Sequence, residues 1–442
     1  MSAQAYPPVK VGLLGLGTVG GGVTRVLARN AEEISRRAGR EIVITHAAAR
    51  NLDTTTAHTA GMKLTGEGLE VVDDPEVSII VELMGGYEPA RTFVLRALAN
   101  GKHVVTANKA LIARHGNEIF AAASAARMMV GFEAAVAGGI PIIKAIREGL
   151  AGNRLEWVAG IINGTANYIL TEMRDKGRDF PDALAEAQAL GYAEADPTFD
   201  IEGIDAAHKL TILASIAFGI PLQFDKVYIE GIGRITRDDV AYADQLGYRI
   251  KHLGIAHRSE RGAQLRVHPT LIPQRQLLAS VDGVMNAVLV KGDAVGQSLF
   301  YGAGAGAEPT ASAVVADIID VVRTLTVDPE NRVPHLAFQP DALSDLPVLP
   351  MEEVETAYYL RLLALDRPGV LADVTRILAD CGIGIEALMQ KEAPPSASTV
   401  PIVLLINPVL ERRMNEAITA IEALDSIRAP VMRIRLEYLD SD

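Results

Sequence analysis

An acid-rich loop that runs into an apolar helix carries the side chains best suited to chemistry in this chain. The loop contains Glu194, Asp196 and Asp200, and the helix after it carries Asp205 and Lys209. Because residues four apart lie on one face of a helix, the sequence predicts a contact between the last two. Burial lowers the pKa of a lysine and a neighbouring carboxylate raises it, which suits general acid–base catalysis near neutral pH. A buried structural ion pair explains the same spacing equally well.

Asp200 has a structural explanation that the other acids of this loop lack. It directly precedes Ile201, where we expect the helix to begin, and aspartate is a favoured N-cap residue. Glu194 and Asp196 precede Pro197 in the loop and are not needed as caps. The sequence therefore separates Asp200 from the acids that are available to a substrate.

Three other polar motifs each have a functional and an ordinary interpretation. Lys109 ends the motif Thr106-Ala-Asn-Lys109 just past a predicted strand, where open α/β sheets bind ligands, but a surface lysine also fits there. Glu133 precedes a glycine-rich bend whose carbonyl groups could bind a hard cation, although a packing turn is the more common case. The segment 163–167, Asn-Gly-Thr-Ala-Asn, fits a helix cap as well as a substrate contact.

A glycine-rich segment near the N-terminus, Gly15-Leu-Gly17-Thr18-Val19-Gly20, follows a predicted strand and opens a predicted helix. In that setting the glycines permit a tight turn and let the backbone approach a pyrophosphate at the helix N-terminus. The context predicts a dinucleotide-binding site, which an isolated glycine-rich turn would not.

The end of the second predicted strand bears on the choice between NAD and NADP. NAD-selective sites usually place an acidic residue there for the ribose hydroxyl, whereas this chain has Arg50, which would suit a 2′-phosphate. We therefore favour NADP. A solvated surface arginine explains Arg50 as well, and the nearby Asp53 keeps NAD open.

The elements that must position these residues fall into four parts. Strand-like and helical patterns alternate over residues 1–133 and predict an α/β fold of the Rossmann type. A helical run at 307–330 is predicted to belong to the same domain. Residues 134–306 mix helices and strands and predict an α+β domain for substrate binding and dimerisation. A proline-rich linker at 331–355 leads to residues 356–442, whose pattern predicts a βαββαβ unit.

Composition narrows the class of protein. The 442 residues carry a formal net charge of −13 without a basic block, which argues against binding to nucleic acid or an anionic membrane. The single cysteine, Cys381, excludes disulfides within the chain and fits a reducing compartment. The N-terminus lacks the apolar core of a signal peptide, and no run is long and apolar enough for a membrane span. We therefore expect a cytoplasmic protein.

Several of these blocks together resemble the homoserine dehydrogenase family. The family's signature is matched over residues 187–209 by Gly191, Asp196-Pro197, Asp200, Gly203, Asp205 and Lys209. The segments 106–109, 133–136 and 163–167 agree as well, in order and spacing. The C-terminal part, with Asp366-Arg-Pro-Gly369, resembles an ACT domain, a small regulatory module that binds amino acids.

The resemblance implies an NAD(P)-dependent enzyme that interconverts L-aspartate 4-semialdehyde and L-homoserine, a step shared by threonine and methionine biosynthesis. It implies that Lys209 donates a proton to the carbonyl oxygen during hydride transfer and that Lys109 assists near the nicotinamide. Glu194 and Asp205 would hold the substrate through its ammonium group, with Asp200 in support.

The resemblance also implies a bound cation and further contacts with the cofactor. One bend would bind a sodium ion through Glu133 and the carbonyl groups of Val136, Gly138 and Ile140. Gly191 and Gly306 would contact the cofactor.

The ACT-like unit implies allosteric control by an amino acid, and threonine is the effector that we expect. Because ACT units usually pair between chains, we also expect a homodimer or a homotetramer.

Three other kinds of protein share some of these features. Aspartate-semialdehyde dehydrogenase must form a thioester on a cysteine, but Cys381 lies in the ACT-like unit. Phosphoglycerate dehydrogenase needs its glycine-rich loop in the middle of the chain, whereas here it begins at Gly15. An amino-acid sensor built on an inactive dehydrogenase would not need Lys209, Asp205 and Glu194.

Overall fold

The computed structural model describes residues 6–51, 57–326, 333–390 and 398–439. The chain divides into two compact units, each assembled from several stretches of sequence. The first unit comprises Met1–Val158, Asp205–Asp225 and Met285–Leu346, and the second comprises Ala159–Ile204, Lys226–Val284 and Pro347–Asp442. Within the described ranges, no helix is both long enough and apolar enough to cross a membrane. The four-part division at the bounds given above stays a prediction.

Strands and helices alternate along much of the chain. The strands are β1 (Val9–Leu14), β2 (Ile42–Ala48), β3 (Lys63–Thr65), β4 (Ile79–Glu82), β5 (His103–Thr106), β6 (Val130–Gly131), β7 (Leu155–Ile161), β8 (Tyr228–Ile229), β9 (Tyr248–Arg258), β10 (Ala263–Pro273), β11 (Met285–Gly292), β12 (Gly296–Ala303), β13 (Glu355–Leu365), β14 (Ile385–Gln390), β15 (Thr399–Leu410) and β16 (Met432–Leu436). The helices are α1 (Thr18–Arg29), α2 (Ala31–Ala38), α3 (Gly68–Asp73), α4 (Ala90–Ala99), α5 (Lys109–Ala126), α6 (Ile142–Lys144), α7 (Gly164–Lys176), α8 (Phe180–Ala189), α9 (Thr198–Ile201), α10 (Ile204–Phe218), α11 (Arg237–Gln245), α12 (Ala307–Thr326), α13 (Val370–Asp380) and α14 (Glu411–Glu422).

The first unit contains the predicted parallel sheet, with strands in the order β3-β2-β1-β4-β5-β6. The chain reverses its direction of travel across the sheet between β1 and β4, and dinucleotides bind at such a point. β1 is almost fully buried, as expected for a strand that helices cover on both faces. Val314 and Ile318 of α12 pack in the same apolar core as Val11 and Leu13 of β1. The α/β class predicted from the sequence is confirmed.

The second unit contains the predicted βαββαβ arrangement, in which the strands lie in the order β16-β13-β15-β14. Successive side chains of its strand β13 point to opposite faces of the sheet, and other elements cover both faces. Tyr358 and Leu360 pack with α13 and α14, whereas Ala357 and Tyr359 pack with α7, α8 and α11. β16 also pairs with β10, so one sheet continues from the C-terminal part into the middle of the chain.

The helix expected to begin at Ile201 begins three residues later, and a separate short helix precedes it. α9 ends at Ile201 and α10 begins at Ile204. Between them Gly203 has a φ of 84°, a left-handed conformation that interrupts the helix and favours glycine. Asp200 therefore lies inside α9, and the prediction that it caps the following helix is wrong.

Candidate active site

Three charged side chains meet at the start of α10. The Asp205 carboxylate accepts a hydrogen bond from the Lys209 ammonium at 2.7 Å, and its other oxygen lies 3.0 Å from the Lys109 Nζ. Asp205 and Lys209 are largely buried, whereas 35% of the Lys109 side chain is exposed. The contact predicted from the spacing of Asp205 and Lys209 is present, and Lys109 joins it.

Lys109 reaches this position from the first residue of α5. Asn108 caps that helix, because its side-chain oxygen accepts a hydrogen bond from Leu111 N at 3.1 Å. The N-terminus of a helix carries partial positive charge and therefore disfavours a lysine. The contact with Asp205 offsets this cost, so the position of Lys109 is explained by the charge cluster better than by the helix alone.

A carboxylate between two amines fixes both of them. Asp205 contacts Lys209 and Lys109 through different oxygen atoms. Amines held in this way do not have to reorient before they act on a substrate, which is what electrostatic stabilisation of an oxyanion requires. An ammonium group can also give its proton to that oxyanion. This is the chemistry that the reduction of a carbonyl group needs.

His208, which no sequence motif singles out, contacts an aromatic cluster beside these charges. Its ring stacks on Phe224 with 4.3 Å between centroids, and its Nε2 lies 3.4 Å from the Tyr87 hydroxyl. Burial lowers the pKa of His208 to about 4, and Lys109 acts in the same direction against the opposing effect of Asp205. The imidazole is therefore neutral at pH 7 and adds no positive charge to the cluster.

In the second unit, Asn163 links the start of α7 to the acid-rich loop. Its side-chain oxygen caps α7 by accepting a hydrogen bond from Ala166 N at 2.8 Å. Its amide group donates to the Asp200 carboxylate at 2.7 Å. The capping interpretation of Asn163 is confirmed, and Asp200 is held half-buried by an amide group.

Glu194 is an acid of this loop whose side chain is exposed. Gln188 donates a hydrogen bond to its backbone carbonyl at 3.0 Å. By contrast, hydrogen bonds from the side chain and backbone of Thr198 lower the pKa of Asp196. Gly191 is also exposed and has a φ of 75°.

The glycine-rich segment has the geometry of a dinucleotide-binding turn. Gly15 has a φ of 101°, and a Cβ there would lie 2.8 Å from the Leu83 carbonyl oxygen. A Cβ on Gly20 would lie only 2.1 Å from the Gly15 carbonyl oxygen, so α1 can pack against the turn only with glycine there. Among the described atoms, none lies within 4 Å of a Cβ built on Gly17, which leaves room for a ligand.

The other residues predicted to contact the cofactor in the first unit lie at helix starts or near a strand end. Thr18 and Val19 form the first turn of α1, whose N–H groups are available to a pyrophosphate. Gly306 directly precedes α12 and has a φ of 128°. Arg50 is exposed shortly after β2, whereas Asp53 lies outside the described residues.

Three families match successive parts of the chain. Residues 15–133 match the NAD binding domain of homoserine dehydrogenase, residues 141–319 match homoserine dehydrogenase, and residues 358–424 match the ACT domain. The homoserine dehydrogenase of Pseudomonas aeruginosa is 66% identical over 433 residues, which cover 98% of this chain and 100% of that protein.

The chain belongs to the homoserine dehydrogenase family.

Solved structures of the family agree with this fold. A homoserine dehydrogenase from Thiobacillus denitrificans has a TM-score of 0.95 at 68% identity, covering 99% of this chain and 100% of that chain. A hyperthermophilic archaeal homoserine dehydrogenase mutant in complex with NADPH has a TM-score of 0.61 at 26% identity, covering 71% of this chain and 97% of that chain. The chain is thus an NAD(P)-dependent oxidoreductase with a C-terminal ACT domain, as the sequence predicted.

Glu133 fixes the bend that the family resemblance assigns to a cation. Its buried carboxylate accepts hydrogen bonds from Ile143 N at 2.9 Å and Lys144 N at 2.8 Å. Burial raises the pKa of Glu133 to about 7, and the Asp317 carboxylate acts in the same direction. The side chain of Glu133 therefore has a structural role at the start of α6.

A cation in this bend would depend on backbone oxygens. The described residues contain no group of three or more His, Cys, Asp or Glu suited to a metal ion. Ala137 and Gly138 have φ values of 51° and 37°, so the direction of successive carbonyl groups changes within the bend. Neutral carbonyl oxygens, such as those of Val136, Gly138 and Ile140, are ligands that suit a hard cation.

Proposed function

We propose that this chain reduces L-aspartate 4-semialdehyde to L-homoserine, a step shared by threonine and methionine biosynthesis, with NAD(P)H as the hydride source. The observation that carries this proposal is the Asp205 carboxylate in contact with both the Lys209 and the Lys109 ammonium groups. Membership of the homoserine dehydrogenase family supports the same substrate.

In the proposed mechanism, bound reduced nicotinamide supplies a hydride to the aldehyde carbon. Lys209 donates a proton to the carbonyl oxygen as negative charge develops there, which forms the product hydroxyl and leaves a neutral amine. Asp205 holds Lys209 in place for this transfer, and Lys109 stabilises the developing charge. The Lys209 amine then takes up a proton from solvent before the next turnover.

The substrate's ammonium group is proposed to bind the acid-rich loop. Glu194 is the principal ligand because its side chain is exposed, and Asp200 supports it from the position that Asn163 fixes. The role expected for Asp205 as a substrate ligand is less favoured, since each of its oxygens already contacts a lysine. A third cation at Asp205 would meet repulsion from both amines.

The cofactor is proposed to be NADP in preference to NAD. Arg50 is exposed shortly after β2, where a guanidinium group can bind the 2′-phosphate. The complex of the archaeal relative with NADPH supports a nicotinamide cofactor. The proposed cofactor contacts are Gly15, Gly17, Thr18, Val19, Gly20, Arg50, Lys109, Gly191 and Gly306.

A sodium ion is proposed to bind the bend after Glu133. The carbonyl groups of Val136, Gly138 and Ile140 would be its ligands. Glu133 would fix the bend, because its carboxylate accepts hydrogen bonds from Ile143 N and Lys144 N. The ion would hold the backbone between β6 and α6 in place and takes no part in the transfer of hydride or proton.

Threonine is proposed to inhibit the enzyme through the ACT domain, in a homodimer or homotetramer. A buried ion network within the second unit supplies a route from that domain to the acid-rich loop. Arg435 of β16 pairs with Glu230 at 2.6 Å, and Ile232 N donates to the Ile201 carbonyl of α9 at 2.9 Å. A shift of β16 would therefore be transmitted to the helix that carries Asp200.

The proposed reaction is tested by mixing the full-length protein with NADPH and L-aspartate 4-semialdehyde and following the loss of NADPH absorbance. Formation of L-homoserine in equal amount supports the proposal. Oxidation of NADPH without homoserine, or no oxidation with bound cofactor, would refute it.

A further inference from the structure

Glu82, the last residue of β4, is a fully buried carboxylate that the mechanism above does not use. It accepts hydrogen bonds from Thr106 Oγ1 at 2.6 Å, Met84 N at 2.8 Å and Gly85 N at 3.2 Å. All three donors are neutral groups. One of them belongs to Thr106, the last residue of β5, and two come from the loop after β4.

Further hydrogen bonds close these contacts into a ring. The Thr106 hydroxyl oxygen accepts a hydrogen bond from Asn108 N at 2.9 Å, and Asn108 Nδ2 donates to the Gly86 carbonyl oxygen at 2.7 Å. Gly85 and Gly86 have φ values of 74° and 72°, so the loop that they form depends on glycine. The loop after β4 and the turn after β5 are thus fixed to each other through Glu82.

Lys109 follows this ring directly. Asn108, a member of the ring, also caps α5 through Leu111 N, and the next residue extends its Nζ to within 3.0 Å of Asp205. The direction in which Lys109 leaves the backbone is therefore set by the turn to which Glu82 is bonded.

The same ring lies at the edge of the sheet where the cofactor is expected. The strand order reverses between β1 and β4, and a dinucleotide lies across that point. Since Arg50 after β2 suits the adenosine ribose, the nicotinamide half falls on the side of β4 and β5. The loop 84–86 follows β4 at that edge.

Fixing a loop does not by itself require a carboxylate. A buried carboxylate costs more free energy than a buried amide or hydroxyl group. Burial raises the pKa of Glu82, against the opposing effect of the hydrogen bond from Thr106. An ionisable group that is perturbed in this way next to a ligand site is more typical of function than of packing alone.

We propose that Glu82 is a positioning residue: it fixes the loop 84–86 that receives the nicotinamide half of the cofactor, and it fixes the turn that directs Lys109 towards Asp205. The inference rests on the proposed function, since it assigns Glu82 to the same reaction. Glu82 touches neither the substrate nor the reacting atoms and acts through Gly85, Thr106 and Lys109.

The test uses Glu82→Gln and Thr106→Val in the full-length protein. Glutamine keeps the size of the side chain but cannot accept hydrogen bonds from all three donors, and valine removes the hydroxyl group between Glu82 and Asn108. For both variants we expect kcat to fall about tenfold and the Kd for NADPH to rise about fivefold, with KM for the aldehyde nearly unchanged. Thr106→Ser keeps the hydroxyl group, so its kcat and its Kd for NADPH should change much less.

A double variant shows whether Glu82 acts through Lys109. In a Lys109→Ala background, Glu82→Gln should lower kcat by a clearly smaller factor than it does in the wild type. Glu172→Gln, which alters a buried carboxylate of α7, is the matched control and should keep wild-type kcat and Kd.

Two results would overturn the inference. One is a lower Tm for Glu82→Gln and Thr106→Val with wild-type kcat and Kd, because that would indicate a purely structural role. The other is full additivity of Glu82→Gln with Lys109→Ala together with an unchanged Kd. If the wild type does not reduce the aldehyde, the proposed function fails, but the Kd for NADPH still reports on Glu82.

Discussion

The Lys109 Nζ lies 3.0 Å from an oxygen of Asp205, although the two residues belong to helices that are far apart in the sequence. The other Asp205 oxygen lies 2.7 Å from the Lys209 ammonium. The three groups therefore act together, because removal of the carboxylate would leave two neighbouring ammonium groups without a counter-charge.

Asp205→Asn tests this arrangement, because it keeps the size of the side chain and removes its charge. We expect kcat to fall by about 10²-fold, since both amines lose their fixed positions. Asp225→Asn is the matched control, because 85% of the Asp225 side chain is exposed. An Asp205→Asn enzyme with the kcat of the control would contradict the assignment.

His208 predicts a loss of stability in acid. Burial lowers its pKa from 6.5 to about 4 in the folded chain, so between these values the unfolded chain binds more protons. The folded state should therefore lose stability as the pH falls from about 6.5 to about 4. His208→Gln removes this proton linkage, and its Tm should decline less than the wild-type Tm between about pH 7 and pH 5.

Two comparisons isolate the contribution of His208. Glu133 acts in the opposite direction. Its pKa is raised from 4.5 to about 7, so between these values the folded chain binds more protons than the unfolded chain. Both the wild type and His208→Gln keep Glu133, so the difference between their Tm curves excludes its effect. His58→Gln replaces an exposed histidine and should follow the wild type. Parallel curves for the wild type and His208→Gln would contradict the prediction.

The local contacts of the site could be predicted from the sequence, whereas the tertiary contacts could not. The pairing of Asp205 with Lys209 follows from their spacing on one helix. Lys109 was expected beyond a strand end, but its contact with Asp205 depends on two distant helices, which no local pattern specifies. No local pattern marks His208 either, since its ring partner Phe224 lies beyond the end of α10.

The wrong prediction for Asp200 shows that a single residue, Gly203, can change where a helix begins. Aspartate before an apolar helix is a good N-cap pattern, and the sequence fitted it. Gly203 takes a left-handed conformation and separates α9 from α10, which moves the helix start past Asp200. The fold class was predictable because it depends on many residues, as in β1 and β13, and not on one.

Arg50→Ala tests the cofactor preference. Loss of the guanidinium group should raise the KM for NADPH by about tenfold and leave the KM for NADH nearly unchanged, because only NADPH carries the 2′-phosphate. Arg36→Ala is the control, because Arg36 is an exposed arginine of α2. Equal changes for both cofactors, or none, would show that Arg50 does not read the phosphate.

Glu230→Gln tests the route from the ACT domain to the acid-rich loop. The change weakens the ion pair with Arg435, so the concentration of threonine needed for half inhibition should rise by at least about threefold. Glu416→Gln, at an exposed position of α14, is the control. Point changes are preferable to deletion of residues 356–442, because Tyr359 and Ile434 belong to the core that packs on α7 and α8. Wild-type inhibition of Glu230→Gln would exclude this route.

Lys209 is proposed to donate the proton to the carbonyl oxygen. The most direct measurement is kcat for aldehyde reduction by Lys209→Ala and by Lys209→Met, which nearly keeps the length of the side chain, together with the Kd for NADPH. We predict that kcat falls by about 10²-fold or more in both variants while the Kd is kept, with Lys226→Ala as an exposed control. A Lys209 variant that binds NADPH and turns over at the wild-type rate would show that Lys209 is not the proton donor.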